Sequence, residues 1–244
     1  MKQSSTMPVH QESVMPSTIR QLLAQNKGLL AFIALMVVFR SAIADYNVVP
    51  SGSMLPTVMV GDRILVDKLA YDLRLPLTHI SLMRLGEPQR GDIVTVDSRQ
   101  AGELLLKRIV GLPGDVVELR DNVLYINGQA ASYGPARAQP EQGDRMDQAR
   151  YRDESIDGMN HLVRLSAAHP SLHSSFGPVV VPVDHYMMLG DNRDNSMDSR
   201  YFGFFARNEL MGRTRRIAFS LNADQYFKPR LDRFGRWLDP VSRQ

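Results

Sequence analysis

The 244-residue sequence contains no cysteine, which excludes cysteine nucleophiles, thiolate zinc sites and disulfide bonds. It has no run of five or more like charges, and a net charge of +3 is too small to indicate a nucleic-acid partner. The serine-hydrolase motifs G-x-S-x-G and S-x-x-K are also absent. No spacing of ligand residues indicates a metal or cofactor, so we expect neither.

The histidines do not indicate a catalytic triad. None of them lies in a motif with an aspartate or glutamate that would orient it as a base. We interpret each as a surface or packing residue: His10, His79, His161, His169, His173 and His185. A serine nucleophile in this chain would therefore need a different base.

One apolar segment bears on the location of the protein. Residues 28–44 carry a single charge, Arg40, and as a helix would measure about 26 Å at ~1.5 Å per residue. This is the lower edge for a membrane span, which needs roughly 17–25 residues. A buried core helix is one alternative, and a cleavable signal peptide ending at Ala42-Ile43-Ala44 is another. We favour an uncleaved, single-pass transmembrane anchor.

The flanking charges predict the orientation of this anchor. Lys2, Arg20 and Lys27 precede it against the single acid Glu12, which places the N-terminus in the cytoplasm and the remainder outside. Residues 1–27 are rich in Ser, Gln, Met and Pro, and we expect a disordered cytoplasmic tail. The predicted location is therefore the inner (cytoplasmic) membrane, with the catalytic domain facing the periplasm or the outside.

From residue 45 onward the sequence changes to short strand-like runs. Residues 115–128 alternate on either side of Asp121-Asn122, which predicts a hairpin. We predict a mainly β domain over residues 45–224, built as an open barrel or as packed antiparallel sheets. Residues 129–178 are predicted to form a loop-rich insertion. Residues 225–244 form a basic aromatic tail that either contacts the membrane interface or packs on the domain.

Three stretches carry candidate chemistry. "PSGSMLPT", residues 50–57, places Ser51 and Ser53 around a glycine and is either a polar turn or a nucleophile loop. "LLLKRIVGL" embeds Lys107 among apolar residues, and burial could lower the pKa of this lysine enough for it to act as a base. A lysine that blunts a strand edge is the alternative. "GDNRDNSMDSRYFGF", residues 190–204, is either a polar site loop or a turn-rich connection.

Together these stretches resemble the bacterial type I signal peptidases, membrane-anchored proteases with a Ser–Lys dyad. Four stretches resemble the family's motif boxes, in the same order: "PSGSMLPTVMVGDRILVDK" (50–68), "RGDIVTV" (90–96), "KRIVGLPGD" (107–115) and "GDNRDNSMDSRYFGF" (190–204). The resemblance covers roughly residues 29–220 and implies cleavage of signal peptides after small residues, in the pattern A-x-A. Its implied partners are signal peptides of exported preproteins and membrane lipid.

The resemblance also implies roles for individual residues. Ser53 would be the nucleophile, Lys107 the general base, and Ser51 an oxyanion donor beside the backbone N–H of Ser53. Ser196 would hydrogen-bond to Lys107 and orient it. Ion pairs would hold the scaffold through Asp198, Arg200 and Arg108. Small-residue pockets would be lined by Val49, Pro50, Met54, Leu105 and Leu106.

Other functions remain as alternatives at this point. A specialised processing protease of one secretion or conjugation system would carry the same motifs. A self-cleaving Ser–Lys repressor would need a helix-turn-helix at the N-terminus, where residues 1–45 offer a polar tail and an apolar segment. A catalytically dead binder of exported segments predicts loss of Ser53 or Lys107, and both are present. We also note that the chain has at most one predicted span, whereas many Gram-negative relatives resemble a two-span layout.

Overall fold

The structure of the protein, a computed structural model, describes residues 21, 24–78, 80–136, 149–166 and 169–238. Most of the predicted tail at 1–27 lies outside these residues. Helix α1 (Lys27–Ala42) covers most of the predicted anchor, and its described side chains are exposed. Across the described ranges, no helix is both long and apolar enough to cross a membrane. The anchor at 28–44 therefore stays a prediction.

Strands dominate the described part of the chain. Helix α2 (Ser199–Phe202) is short. In chain order the strands are β1 (Ala44–Val48), β2 (Asp62–Asp67), β3 (Asp72–Arg74), β4 (Ser81–Arg84), β5 (Ile93–Ser98), β6 (Glu103–Gly111), β7 (Val116–Arg120), β8 (Val123–Ile126), β9 (Gln129–Ala130), β10 (Ser132–Tyr133), β11 (Ala149–Ile156), β12 (Met159–Ser166), β13 (Phe176–Val180), β14 (His185–Leu189), β15 (Phe205–Ala206), β16 (Leu210–Asn222) and β17 (Lys228–Pro229).

The largest sheet carries the candidate site. Its strands run in the order β1-β2-β16-β5-β6-β14-β15, with β17 paired to the end of β16. Residue Lys107 on β6 lies opposite Val94 on β5, and β14 pairs with the other edge of β6. The end of β14 leads directly into the polar stretch at 190–204. This sheet therefore brings the lysine motif and the last motif side by side.

The remaining strands form three smaller antiparallel sheets: β10-β11-β12, β13-β7-β8-β9 and β3-β4. The prediction of a mainly β fold with packed antiparallel sheets is confirmed. Asp121 and Asn122 both have positive φ at the turn between β7 and β8, as the hairpin prediction requires. Residues 129–178 are more regular than their composition predicted, because β11 and β12 form a hairpin of two eight-residue strands.

The C-terminal segment packs on the sheet as far as it is described. Leu238 is buried in the apolar cluster that also contains Ile64 and Ile217. The guanidinium of Arg216 lies 3.7 Å from the ring centroid of Trp237. Other aromatic side chains of this segment, including Tyr226, are exposed. Residues 225–238, which we call the C-terminal strap, thus pack on the sheet and expose aromatic side chains on their outer surface. Contact of that surface with the membrane stays a prediction.

Candidate active site

The loop between β1 and β2 holds the candidate nucleophile. Its ends are fastened together, because the N–H of Val49 donates to the carbonyl of Asp62 and the N–H of Gly61 donates to that of Val49. Ser53 lies in this loop with 8% of its surface exposed, whereas Ser51 is exposed. The two hydroxyl oxygens are 3.4 Å apart. The loop therefore places the buried hydroxyl of Ser53 next to the exposed hydroxyl of Ser51.

Lys107 reaches this loop from the middle of β6. Its Nζ lies 2.9 Å from Oγ of Ser53, within hydrogen-bond distance. Only 3% of the lysine is exposed, because β6 is flanked by β5 and β14 and the nucleophile loop approaches the lysine. The structure thus brings together two residues that are 54 positions apart in the sequence.

Burial changes the acid–base chemistry of this lysine. Loss of hydration lowers the pKa of Lys107 to about 8, because the ammonium form is costly in an apolar environment. The negative charges of Asp198 and Glu103 oppose this shift, and the positive charge of Arg200 adds to it. A substantial neutral fraction is therefore present near neutral to mildly basic pH, as a general base requires.

A buried ion pair connects the residue next to the lysine with the nucleophile loop. The guanidinium of Arg108 donates to both carboxylate oxygens of Asp191, at 2.8 and 2.7 Å. It also donates to the carbonyl of Gly91. Thr57, in the nucleophile loop, donates its hydroxyl to the same carboxylate at 2.5 Å. The pKa of Asp191 is held below its ordinary value by the Arg108 charge despite burial, so the carboxylate stays ionised.

Asn192 fastens the backbone that carries Ser53. Its side-chain amide donates to the carbonyl of Gly52 at 2.9 Å, and its backbone N–H donates to the carbonyl of Ser53 at 3.0 Å. The side-chain oxygen accepts from Arg164 on β12 at 3.0 Å. These contacts hold the nucleophile at a fixed position relative to β14 and β12.

A second buried pair lies further along the same stretch. Arg200 donates to both carboxylate oxygens of Asp198 at 2.8 Å, and the carboxylate also accepts the backbone N–H of Gly190. Gly190 is packed so closely that a Cβ there would come within 2.5 Å of the Ser53 carbonyl oxygen and would collide with the Ser196 hydroxyl. Only glycine lets the end of β14 approach the nucleophile loop this closely.

A third buried charge cluster joins the β11–β12 hairpin to the site. Arg193 donates to both oxygens of Glu154 at 2.7 and 2.6 Å. His161 lies between this pair and Asp191, with its Nε2 3.5 Å from Glu154 and 3.6 Å from Asp191. Burial lowers the pKa of His161 to about 4, so this histidine is neutral at ordinary pH. The hairpin is therefore attached to the candidate site through polar groups.

Comparison with known proteins assigns the family. The family model for signal peptidase, peptidase S26, matches residues 22–219. Signal peptidase I of Pseudomonas fluorescens is 37% identical over 183 residues, which cover 74% of this chain and 63% of that protein. Signal peptidase I of Pseudomonas aeruginosa is 34% identical over the same shares of the two chains. This chain belongs to the signal peptidase family.

The match spans less than two thirds of the length of these two Pseudomonas relatives. A signal peptidase I from Bacillus subtilis is 30% identical, with 83% of this chain and 92% of that protein covered. A crystal structure of a signal peptidase I from Enterococcus faecalis is 29% identical and covers 52% of this chain and 96% of its own. The TM-score between the two structures is 0.31.

The structure gathers most of the apolar residues predicted from the family resemblance. Val49, Met54 and Leu106 belong to one apolar cluster beside Ser53. Pro50 is exposed next to them. Leu105 instead packs into a different cluster, with Val94, Ile109 and Phe205 among its members. It is thus the one predicted pocket residue that the structure places in another cluster.

The predicted hydrogen bond between Ser196 and Lys107 is absent from this structure. The Ser196 hydroxyl is buried and has no hydrogen-bond partner within the described residues. Sequence reasoning also assigned no role to Gly190, Asp191 or Asn192, although all three lie inside the motif at 190–204. Within the described ranges, no group of three or more histidine and carboxylate side chains is arranged to hold a metal ion.

Proposed function

We propose that this protein is a membrane-bound serine endopeptidase that removes signal peptides from exported proteins. Ser53 is the nucleophile and Lys107 the general base. The observation that carries the proposal is the 2.9 Å approach of a buried lysine, whose pKa is lowered to about 8, to a sheltered serine hydroxyl. Membership of the signal peptidase family supports the same reaction.

In the proposed reaction, neutral Lys107 takes the proton of Ser53 as the serine oxygen attacks the scissile carbonyl carbon. The negative charge that develops on the carbonyl oxygen is stabilised by the Ser51 hydroxyl and the Ser53 backbone N–H. The lysine ammonium then protonates the leaving amine, which releases the mature protein and leaves an acyl-enzyme. Neutral Lys107 next takes a proton from water as the water oxygen attacks the ester carbon, and it returns this proton to the Ser53 oxygen as the acyl bond breaks.

The substrate side chains before the cut would rest on the apolar cluster beside Ser53. Val49 and Met54 are buried within this cluster, so the partly buried Leu106 and the exposed Pro50 would touch the substrate. The family resemblance implies small substrate residues at these positions, and we propose cleavage after an A-x-A pattern. Leu105 would contribute by packing beneath Lys107 rather than by touching substrate.

The membrane location is part of the proposal. Helix α1 exposes an apolar surface, including Phe32, Leu35 and Val37, that finds no cover in the described part of the chain. We propose that this segment anchors the protein to the inner membrane, with lipid as its partner and with the β domain outside the cytoplasm. Because β1 begins at Ala44, immediately beyond the helix, the nucleophile loop stays within a few strand lengths of the bilayer.

The test is cleavage of a precursor with an Ala-x-Ala site by the full chain in detergent micelles. We expect the wild type to cut after the second alanine and both Ser53→Ala and Lys107→Met to be inactive with unchanged circular dichroism. Lys228→Met removes an exposed lysine on β17 and serves as the matched control, with wild-type activity. Equal cleavage by wild type and Lys107→Met would overturn the proposed base.

A further inference from the structure

The β3–β4 hairpin exposes an unusual number of apolar side chains. We call residues 72–85 the apolar hairpin; all of them except residue 79 are described. Its exposed large side chains are Leu75, Leu77, Ile80, Leu82, Met83 and Leu85. All four residues of β4 are exposed, so neither face of the strand is covered by the described part of the chain. Soluble proteins rarely leave this much contiguous apolar surface without a use.

The tip of the hairpin holds a leucine in an unfavourable backbone conformation. Leu77 has φ of 63°, in the left-handed region that bulky residues rarely occupy, and 77% of it is exposed. The turn around it is closed by hydrogen bonds between Leu75 and Ile80 and between Thr78 and Leu75. The fold therefore tolerates backbone strain at a residue whose side chain points into solvent, which indicates a role for that side chain outside the fold.

The base of the hairpin is rigid. Arg207 donates to both carboxylate oxygens of Asp72 at 2.8 and 3.0 Å, and also to the carbonyl of Gly86 at 2.8 Å. Arg74 donates to the carbonyl of Leu210 on β16. The exposed tip is thus held at a fixed place by a buried polar base, rather than being a loose loop that could fold back onto the domain.

The hairpin starts beside the end of helix α1. Ala44, two residues after the helix, lies opposite Asp67 at the end of β2. The next residue, Lys68, donates its backbone N–H to the carbonyl of Ile43 and its Nζ to that of Arg40, both at 3.0 Å. β3 begins four residues later. The apolar helix and the apolar hairpin therefore leave the domain from the same end of the main sheet.

The apolar hairpin carries three charged side chains, all at its base. Asp72 and Arg74 are buried and pair with each other, and Asp72 also pairs with Arg207. Arg84 is exposed and pairs with Asp184 only at 3.5 Å, with both side chains more than half exposed. An apolar tip with the exposed Arg84 behind it matches an anionic lipid surface, where the leucines contact acyl chains and the arginine contacts headgroups.

We propose that the apolar hairpin inserts its tip into the lipid surface of the membrane and forms a second contact with the bilayer besides helix α1. Apolar exposure on both faces suits immersion in lipid better than a flat protein partner, which would cover one face only. Two contacts at the same end of the sheet would fix the height and tilt of the domain above the bilayer. The inference rests on the proposed membrane location, but not on the proposed reaction.

The absence of cysteine allows a direct test in the full chain. Single cysteines would be introduced as Leu77→Cys at the hairpin tip, Leu35→Cys on α1 and Leu172→Cys, an exposed leucine outside the hairpin, in the segment before β13. Each variant would carry an environment-sensitive fluorophore in nanodiscs of phosphatidylcholine with or without phosphatidylglycerol. Quenching by nitroxides attached to the acyl chains reports whether the label lies in the bilayer.

We expect the label at position 77 to be blue-shifted and quenched, more strongly with phosphatidylglycerol, and the label at position 172 to be neither. Quenching of the label at position 35 without quenching of the label at position 77 overturns this inference but supports the proposed anchor. The same result is expected if the hairpin binds a protein instead of lipid. Absence of quenching at both positions overturns the hairpin contact and the anchor together. Neither outcome depends on whether the protein cleaves a precursor.

Activity provides a second, independent measurement. Leu77→Asp with Leu82→Asp should lower cleavage of a precursor embedded in anionic vesicles by about tenfold or more, because charged tips are expelled from lipid. Cleavage of a short soluble peptide should stay unchanged, since the hairpin is not part of the site. Leu172→Asp is the matched control. Equal loss on both substrates, or no loss on either, would contradict a lipid contact by the hairpin.

Discussion

The side-chain amide of Asn192 donates to the carbonyl of Gly52 at 2.9 Å, which ties the last sequence motif to the first. The adjacent backbone contact, from Asn192 N–H to the Ser53 carbonyl at 3.0 Å, strengthens the same connection. The position of the nucleophile therefore depends on a residue 140 positions further along the chain than Gly52. Placement of this kind contributes to catalysis only if it is accurate to a fraction of an ångström.

We expect Asn192→Ala to lower kcat by about 100-fold with little change in KM, because a displacement near 1 Å can cost this much. The lost amide bonds the backbone of Gly52 and not the apolar cluster that contains Met54, so binding should persist. Asn195→Ala, at an exposed residue of the same loop, is the matched control and should resemble wild type. A loss confined to KM, or an equal loss in the control, would argue against a positioning role.

The lowered pKa of Lys107 predicts the pH dependence of the reaction. Because the neutral amine is the active form, kcat/KM should rise tenfold per pH unit well below about pH 8 and level off above it. The measurement is peptide cleavage between pH 6 and 10 at constant ionic strength. A rate that is flat across this range would show that no base with a pKa near 8 acts on Ser53.

The same pKa has a consequence for stability. Between the folded pKa of about 8 and the ordinary lysine value of 10.5, the unfolded chain binds a proton that the folded chain does not. The free energy of unfolding of wild type relative to Lys107→Met should therefore increase as pH rises through this window, by about 3 kcal/mol in total. Urea unfolding of both proteins at pH 7.5 and pH 10 measures the change. A difference independent of pH would contradict the burial-induced shift.

The sequence predicted the central pair because the relevant signals are local. An apolar run around Lys107 indicates burial, and the resemblance of two short motifs to a known family identifies Ser53. Alternation and turn residues predicted the strands of the β7–β8 hairpin. Each of these signals depends on residues within a few positions of one another, so no knowledge of the tertiary packing was needed.

The remaining parts of the site depend on long-range packing. Arg108 pairs with Asp191 and Glu154 with Arg193 only because β14 and the β11–β12 hairpin meet in space. The family resemblance implied that Leu105 lines a substrate pocket, whereas the structure packs it with Val94 and Ile109 in a strand whose two faces are largely buried from this residue onward. The polar composition of residues 129–178 concealed two long strands, since their buried side chains include charged groups such as Glu154.

Gly190 provides a steric test of the site. In Gly190→Ala the new methyl group would come within 2.5 Å of the Ser53 carbonyl oxygen, which is backbone and cannot rotate away. We expect cleavage to fall by at least 100-fold and the melting temperature to decrease. Gly134→Ala is the control, since its methyl group would meet only the Asp153 side chain, at 3.3 Å.

The companion variant Gly190→Ala/Ser196→Gly separates the two contacts. Removing the Ser196 hydroxymethyl group relieves one collision but leaves the one with the Ser53 carbonyl. We therefore expect the double variant to recover part of the stability and little of the activity. Full recovery of cleavage would mean that the serine side chain alone, and not the nucleophile backbone, requires glycine at this position.

The last prediction concerns the C-terminal strap, which reaches back to the nucleophile loop through Arg233. Its guanidinium donates to both carboxylate oxygens of Asp62 at 3.0 and 2.5 Å and to the carbonyl of Thr57 at 3.2 Å. Arg233→Met leaves the carboxylate of Asp62 buried without its charge partner. Loss of one partner of a buried ion pair typically costs about 3–5 kcal/mol, and we expect a destabilisation of this order.

This variant also removes the hydrogen bond from Arg233 to the carbonyl of Thr57 in the nucleophile loop, so cleavage should fall together with stability. Arg233→Met/Asp62→Asn removes both charges and should recover part of the free energy of unfolding, because no buried charge is left alone. Arg236→Met changes an exposed arginine of the same strap and should resemble wild type. If Arg233→Met were as stable and active as the Arg236→Met control, Arg233 would contribute neither to the stability of the fold nor to the position of the nucleophile loop.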